Sequence, residues 1–254
     1  MELSEKKLMI IVPCYNEEDC LPLTAPVFLR KIRELIESGK CAPNSRVLYV
    51  DDGSKDATWE LIRKECEQEE ICGLRLIPNG GHQNAVMAGL MEALAEDVDV
   101  TISIDADLQD SIDAMGEMLD AYGSGAEIVY GVRNSRATDS FLKRFTARGF
   151  YTVMNLFGAK VVYDHADYRL MSREALRRLS YYHGDTPFLR GLATRLGLPS
   201  AKVSYDRLER VAGESKYTLK KMLKLAAKGM ALNRVKPQDT PRPRDPRIAE
   251  KLWK

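Results

Sequence analysis

Acidic side chains follow three separate apolar segments, and their spacing suits a hard metal ion. Asp105 and Asp107 flank a single residue directly after a buried apolar segment, Asp51 and Asp52 follow an earlier one, and Glu17 follows the first. If these segments are parallel strands, their carboxyl ends share one edge of a sheet and the like charges gather there. A divalent cation that also takes diphosphate oxygens is the economical counter-charge.

Each of these signals also has a structural interpretation. A lone D-x-D pair is common in solvated turns. Here the buried strand before it and the other acidic strand ends favour a metal-binding role. The segment from Asp51 to Ser54 reads equally as a turn before a helix that Asp56 caps. Within that segment Asp52 is the residue better placed to meet a ligand.

Three other kinds of site fit the sequence poorly. A dinucleotide-binding unit needs glycines after its first strand, where this chain has Pro-Cys-Tyr-Asn-Glu over 13–17, and the chain has no G-x-x-x-x-G-K-[ST] loop. A phosphatase of the HAD type carries its D-x-D on the first strand rather than the fourth.

The segment 79–82 (Asn-Gly-Gly-His) opens a helix and fits an anion site or simple helix entry equally well.

Hydrophobic periodicity predicts the elements that position these side chains. Strands are predicted near 8–13, 47–50, 74–77, 98–104 and 127–130. Helices are predicted over about 25–38 (capped by Thr24), 56–71, 83–95 and 112–122. Strands that alternate with helices of this length predict an α/β fold with a Rossmann-like, mostly parallel sheet flanked by helices.

The pattern becomes less regular toward the C-terminus. Helices are predicted near 139–157 and 172–181, and a strand near 200–206. A basic amphipathic helix follows over about 217–232, and a proline-rich stretch ends the chain. The predicted organisation is a main domain over 1–215, the basic helix within 216–234 and a flexible tail over 235–254.

The near-neutral net charge of +1 conceals two oppositely charged regions. Residues 201–254 hold 15 of the 38 basic residues but only 6 of the 37 acidic ones. This asymmetry suggests contact with an anionic surface, and no nucleic-acid partner is expected. Five cysteines without a C-x-x-C pair, an acidic N-terminus and the lack of an 18-residue apolar run predict a cytoplasmic protein with reduced thiols.

Six segments together resemble a known family. They occur in the expected order over about residues 8–230: V-P-x-Y-N-E-E at 12–18, D-D-G-S-x-D-x-T at 51–58, D-A-D-L-Q-D at 105–110, G-x-R at 131–133, D-Y-R-L at 167–170 and R-x-x-G-E-S-K-Y at 210–217. The chain resembles the family 2 glycosyltransferases of the GT-A fold. Within them it is similar to the dolichyl-phosphate mannose synthase and bactoprenol glucosyltransferase group.

The resemblance implies roles for individual residues. It implies a base and ribose pocket at Pro13, Tyr15, Glu17, Val50 and Asp52. It implies that the divalent cation, Mg²⁺ or Mn²⁺, and the donor diphosphate meet Asp105, Ala106, Asp107 and Gln109, with Asp105, Asp107 and Gln109 as metal ligands. It implies phosphate-binding cations at Arg133, Arg169, Arg210 and Lys216, and catalytic roles for Asp107, Asp167 and Arg210.

The expected reaction is inverting, metal-dependent transfer of a hexose from a nucleotide-diphosphate sugar to a polyprenyl phosphate, undecaprenyl or dolichyl. The donor stays open between UDP-glucose and GDP-mannose. The chain departs from the group where Ser111 and Ile112 replace two prolines and where Ala166 and Tyr168 replace a glycine and a phenylalanine. Transfer to a glycan hydroxyl is the alternative, against which the segment 210–217 argues.

The acceptor phosphate itself makes a strong general base unnecessary. A phosphate monoester has its second pKa near 6 and is largely a dianion at pH 7. We therefore expect Asp167 to orient the acceptor or Arg169 more than it removes a proton.

The predicted basic helix supplies a possible membrane contact. Its apolar residues recur at helical spacing, and Lys220, Lys224 and Lys228 recur every four residues. A surface helix packed on the domain and a helix lying on an anionic membrane both fit this pattern. Because a polyprenyl acceptor lies in a membrane, we expect peripheral association with the cytoplasmic face.

Overall fold

A computed structural model describes residues 2–134, 165–183, 188–208 and 236–253 of the chain. The strands are β1 (Leu8–Cys14), β2 (Arg46–Asp51), β3 (Ile71–Leu76), β4 (Val100–Ser103), β5 (Ile128–Arg133), β6 (His165–Ser172), β7 (Ser200–Tyr205) and β8 (Ile248–Leu252). The helices are α1 (Leu21–Glu37), α2 (Thr58–Glu65), α3 (His82–Ala95), α4 (Ala114–Gly123), α5 (Arg173–Ser180) and α6 (Leu189–Ala193). A short 3-10 helix spans Leu3–Glu5.

The eight strands form one sheet in the order β7-β5-β6-β4-β1-β2-β3-β8. β1 pairs in parallel with β2 and β4, β2 with β3, and β5 with β7. β6 is antiparallel to β4 and β5, and β8 is antiparallel to β3. Six strands therefore run in one direction and two in the other, which confirms the predicted mostly parallel α/β sheet.

Helices cover both faces of the sheet, and this explains why the strands are continuously apolar. Every residue of β1 is buried, with Ile10 facing one apolar cluster and Ile11 the other. The first cluster takes Phe28 from α1 and Trp59 from α2, and the second takes Val86 from α3. A strand with helices on both sides loses the polar alternation of a solvent-facing strand.

The first helix begins earlier than its predicted cap. α1 starts at Leu21, so Thr24 lies inside it, fully buried, and its hydroxyl donates to the Cys20 carbonyl at 3.2 Å. Pro26 falls in the second turn of the helix. Thr24 marked the region of the helix start without giving its first residue.

The prediction of a flexible tail is wrong for the described residues 236–253. β8 pairs with β3 and covers the edge of the sheet, which would otherwise expose unpaired backbone groups. Glu250 accepts hydrogen bonds from Trp59 Nε1 at 3.1 Å and from Arg63 at 3.2 Å. Lys251 pairs with the buried Glu92 at 2.5 Å. The prolines precede the strand and do not interrupt it.

Two predicted helices lie outside the described residues: the one near 139–157 and the basic helix of 217–232. Among the residues that are described, no helix is both long enough and apolar enough to span a bilayer.

Two helical glycines provide a matched test of packing between α3 and the sheet. A Cβ on Gly89 would lie 2.6 Å from Ile11 Cγ2 and 3.0 Å from Val50 Cγ2, whereas one on Gly116 in α4 meets nothing within 4 Å. Gly116→Ala should raise the free energy of unfolding by about 0.5–1 kcal/mol through helix propensity. Gly89→Ala should leave the protein about 1–3 kcal/mol less stable than Gly116→Ala because of overpacking. Urea unfolding of both variants checks this, and equal stabilities would contradict the close packing of α3 on β1.

Candidate active site

The D-x-D segment lies in a turn at the carboxyl end of β4. Side chains alternate there, with Asp105 and Asp107 partly exposed and Ala106 and Leu108 buried. Leu108 has φ +52°, a left-handed conformation that is rare for a branched residue and is often found at functional sites. The Gln109 amide donates to Asp107 Oδ1 at 3.1 Å. The turn therefore presents both carboxylates on its open side.

Asp52 organises the loop that leads into α3. The backbone amides of Gly80 and Gly81 donate to its two carboxylate oxygens at 2.9 and 2.7 Å, and Asn79 Nδ2 donates to its carbonyl at 2.8 Å. Arg247, just before β8, forms an ion pair with Asp52 Oδ1 at 3.6 Å. Burial raises the pKa of Asp52 against these favourable contacts. Asp52 thus joins three chain segments at the predicted nucleotide pocket.

Other acidic side chains at this edge have arginine partners, and a structural ion pair was the alternative interpretation of Arg133 from sequence. Arg75 Nε lies 3.6 Å from Asp51 Oδ2. Arg133 forms an ion pair with the buried Asp110 at 2.7 Å, and the Tyr205 hydroxyl donates to the same carboxylate at 2.7 Å. Arg133, predicted to bind phosphate, is engaged in this structural ion pair. The gathering of acidic residues therefore does not by itself require a metal.

Asp167 reaches the same edge because β6 runs against its neighbours. β4 residue Ser103 pairs with Arg169, so Asp167, two residues earlier in β6, lies beyond the end of β4 and beside the D-x-D turn. The Ser103 hydroxyl donates to the Asp167 carbonyl at 2.9 Å. His82, the first residue of α3, places Nε2 3.6 Å from both Asp105 Oδ1 and Asp167 Oδ2.

The Asp167 carboxylate is held from several directions. Arg190 of α6 binds it with both Nε at 3.0 Å and Nη2 at 3.2 Å, and Gln83 Nε2 donates to it at 3.1 Å. Burial alone would raise its pKa, but Arg190 and His82 outweigh burial and hold the pKa well below its usual range. Asp167 is therefore ionised at neutral pH and is a poor proton acceptor.

His82 is a site residue that the sequence indicated only as the end of the helix-opening segment 79–82. Burial alone would lower its pKa, but the Asp105 and Asp167 carboxylates raise it from 6.5 to about 9. His82 is therefore a cation at neutral pH and connects the D-x-D turn to Asp167. Its position at the start of a helix after two glycines was the available signal.

Arg169 lies behind Asp167, deep in the protein. Its side chain is 2% exposed, and its Nε and Nη2 have no hydrogen-bond partner among the described residues. The guanidinium carbon lies 5.9 Å from the centre of the Tyr130 ring, and burial lowers the pKa of Arg169. Direct contact with a phosphate would require this buried side chain to become accessible.

The predicted metal ligand Gln109 has a different partner in this structure. Its side-chain oxygen accepts from Arg207 Nη2 at 2.6 Å, and the Leu208 amide donates to its carbonyl at 2.9 Å. Arg207 follows β7, whose carboxyl end lies at the same edge of the sheet. Arg207 is thus a cation next to the D-x-D turn that the sequence motifs did not identify.

The predicted base pocket lies at the ends of β1 and β2. Pro13 and Val50 are buried neighbours in the register of these two strands, and Tyr15 and Glu17 are partly exposed in the loop after β1. The Glu17 amide donates to the Thr58 hydroxyl at 2.8 Å, which ties this loop to the start of α2. Predicted residues Arg210 and Lys216 lie outside the described residues.

The D-x-D turn has the donor chemistry that a hard divalent cation needs. Mg²⁺ is usually held by one or two carboxylates, with waters and substrate phosphates completing six oxygen ligands. Asp105 and Asp107 match that number, and the Asp105 side chain is 41% exposed. Within the described residues no group of three or more His, Cys, Asp or Glu side chains could hold a metal. The turn therefore fits a cation shared with a substrate, rather than one enclosed by protein.

The fold is that of GT-A glycosyltransferases. Glucosyl-3-phosphoglycerate synthase from Mycobacterium tuberculosis, solved with Mn²⁺, UDP and glucosyl-3-phosphoglycerate, superposes with a TM-score of 0.60 at 16% identity, covering 98% of this chain and 90% of that one. The mannosyltransferase PcManGT from Pyrobaculum calidifontis has a TM-score of 0.54 at 20% identity, covering 83% and 59%. At these identities the likeness establishes the fold.

The sequence comparisons establish the family. The family model "Glycosyl transferase family 2" matches residues 9–180, and the chain belongs to that family and is a glycosyltransferase. It is 48% identical to the uncharacterized glycosyltransferase YkoT of Bacillus subtilis (strain 168) over 93% of this chain and 70% of the relative. It is 34% identical to the bactoprenol glucosyl transferase of Shigella phage SfV over 88% and 70%. The resemblance inferred from the six segments is thereby confirmed at the level of the family.

The contact between Arg190 and Asp167 can be tested through pH-dependent stability. A carboxylate whose folded pKa is depressed stabilises the fold above its unfolded pKa of about 3.9, and this contribution is lost as pH falls through the folded pKa. Arg190→Met should lower the free energy of unfolding by about 2 kcal/mol at pH 7. The deficit should narrow below about pH 4, where Asp167 is protonated in the unfolded chain.

Arg177→Met is the matched control, because Arg177 pairs with Glu174 on the exposed surface of α5. That solvent-screened surface pair should contribute little, so Arg177→Met should change the free energy of unfolding much less than Arg190→Met. Urea unfolding between pH 3 and 7 measures both variants. A pH-independent deficit for Arg190→Met would show that Arg190 acts by packing alone.

Proposed function

We propose that this glycosyltransferase transfers a hexose, with inversion, from a nucleotide-diphosphate sugar to a polyprenyl phosphate. An oxygen of the lipid phosphate attacks the anomeric carbon, the bond to the donor diphosphate breaks, and the nucleoside diphosphate leaves. The observation that carries the proposal is 34% identity to a bactoprenol glucosyl transferase over 88% of this chain, and the D-x-D turn at the carboxyl end of β4 supports it.

Asp105 and Asp107 are proposed to hold Mg²⁺ or Mn²⁺ together with the donor diphosphate. The solved relative binds Mn²⁺ and UDP, which supports a divalent cation and a nucleotide donor. The cation would neutralise the charge that develops on the leaving diphosphate. Gln109 could join as a ligand only if its side-chain oxygen left Arg207. UDP-glucose and GDP-mannose are the proposed donors, with the base near Pro13, Tyr15, Glu17, Val50 and Asp52.

Asp167 is proposed to act as a fixed anion that orients its neighbours. Its bidentate contact with Arg190 and its depressed pKa leave little capacity to accept a proton. A lipid phosphate with its second pKa near 6 needs no base at neutral pH. In this proposal Arg210 and Lys216 bind phosphate oxygens: Arg210 by a two-point contact and Lys216 as a compact charge.

A donor-binding panel and a transfer assay test the function directly. UDP, GDP and their sugars with Mn²⁺ should raise the thermal unfolding temperature, and Asp105→Asn or Asp107→Asn should remove the metal-dependent part of that rise. Label from the matching sugar donor should move into the organic phase with undecaprenyl or dolichyl phosphate. Transfer only to water-soluble glycans would favour the alternative acceptor class, and no stabilisation by any nucleotide would contradict the assignment.

The role of Asp167 predicts a specific pH profile. Asp167→Asn should lower kcat through loss of positioning, but the shape of the rate profile between pH 6 and 9 should match that of the unmodified protein. Asp107→Asn should lose at least tenfold more activity than Asp167→Asn, because it removes a proposed metal ligand. Steady-state rates across this range measure both effects. A loss of activity in Asp167→Asn as large as that in Asp107→Asn at every pH would contradict the view that no base is needed.

The basic sequence at 217–232 supports a further part of the proposal, peripheral association with the cytoplasmic face of a membrane. Each basic residue near an anionic surface adds about 1 kcal/mol of attraction. The protein should sediment with vesicles that contain anionic lipid and stay in solution with neutral ones. Replacing Lys220, Lys224 and Lys228 by Gln should weaken that binding by at least tenfold. Equal sedimentation with both kinds of vesicle, or none, would refute an electrostatic membrane contact.

A further inference from the structure

The C-terminal segment 236–253, here called the strap, reaches the donor side of the sheet. β8 runs antiparallel to β3, and Ile248 pairs with Leu76 at the carboxyl end of β3. The residue before β8, Arg247, therefore lies at the edge where the candidate site is built. The Ile77 amide donates to the Arg247 carbonyl at 2.8 Å, which fixes the strap against the loop that leads to α3.

The Arg247 guanidinium is oriented by its own segment. Asp245 accepts from Arg247 Nε at 3.0 Å and from Nη2 at 2.5 Å, and its carboxylate also accepts from the Arg247 amide at 3.0 Å. With Nε and Nη2 held by Asp245, Nη1 is directed to Asp52 Oδ1 at 3.6 Å, and Nη1 is buried with no hydrogen bond to any described residue. A guanidinium held at two nitrogens by one carboxylate has little freedom to move away from the other.

The Arg247 guanidinium packs against Gly80, whose lack of a side chain leaves room for it. A Cβ on Gly80 would overlap the Arg247 guanidinium, so the close approach depends on the missing side chain. The Gly80 amide donates to the same Asp52 oxygen that Arg247 faces. Arg247 and the Gly80 backbone therefore share one carboxylate.

We infer that Arg247 is a positioning residue for the donor site. It acts through Asp52, which holds the Gly80–Gly81 backbone and so sets the position of His82 between the D-x-D turn and Asp167. Without the arginine, the 2%-exposed Asp52 carboxylate would retain its amide contacts but lose its cationic partner. The loop 79–82 would then be less firmly held, and the nucleotide would meet a less ordered pocket. This inference rests on the proposed function for its ligand, a nucleoside diphosphate.

The test compares Arg247→Met with Arg244→Met in the full chain. Arg244 lies on the same strap, is 65% exposed and pairs with Glu92 at 3.7 Å, so both variants lose one positive charge from one segment. Hydrogen exchange at the Gly80 and Gly81 amides, resolved by NMR without ligand, should speed up at least tenfold in Arg247→Met only. Affinity for UDP and GDP with Mn²⁺, measured by calorimetry at a temperature where every variant is folded, should fall about tenfold in Arg247→Met only.

Two further variants separate positioning from other roles. Arg247→Lys keeps the positive charge but loses the guanidinium that contacts both Asp245 and Asp52. Its nucleotide affinity should therefore lie between those of Arg247→Met and the unmodified protein. In an Asp52→Asn background, Arg247→Met should cost much less affinity than it does alone, because both changes act on the same contact.

Each contrary outcome has a distinct meaning. Unchanged amide exchange with weakened nucleotide affinity would overturn positioning and indicate direct contact between Arg247 and the nucleotide. A gain of affinity in Arg247→Met would overturn it in favour of a strap that obstructs the pocket. If the unmodified protein binds neither UDP nor GDP, the proposed function fails, whereas the exchange experiment still decides whether Arg247 holds the loop.

Discussion

The requirement to neutralise like charges at one edge of the sheet governs much of this structure. Six strands end at that edge, and several of the loops after them carry carboxylates. Asp51, Asp52 and Asp110 are at most 2% exposed, and a buried carboxylate without a partner is costly. Each is matched by an arginine: Arg75, Arg247 and Arg133 respectively.

Strand direction supplies the partners that the parallel strands cannot. β6 and β8 run against the other strands, so the residues at their starts lie where the other strands end. β6 brings Asp167 beside Asp105, and β8 brings Arg247 beside Asp52. α6 then adds Arg190 against Asp167. The two reversed strands therefore bring one carboxylate and one cation to the edge, which local sequence around β1, β2 and β4 could not provide.

The difference between local and non-local contacts explains what could be predicted from sequence. The strands around Ile10 and Ile102 were predicted because burial on both faces leaves a continuous apolar run. The D-x-D turn was predicted because both carboxylates lie within four residues of one strand end. Arg190 was missed, since nothing near it in sequence indicates a carboxylate partner. The strap was interpreted as flexible because its prolines outweighed the short strand from Ile248, whose partner β3 lies far away in the chain.

The pattern of neutralisation distinguishes the carboxylates of the framework from those of the site. Asp52 and Asp110 accept at least one hydrogen bond at 2.9 Å or shorter, and their oxygens are enclosed. Asp105 is 41% exposed, and within the described part of the chain the cation that faces it, the His82 ring, stands 3.6 Å away. As far as these residues show, an incoming cation can reach Asp105 without displacing a hydrogen-bonded partner, whereas at Asp110 it would have to separate a buried ion pair. This asymmetry, rather than the number of acidic residues, supports the proposal that a metal and the donor diphosphate bind at the D-x-D turn.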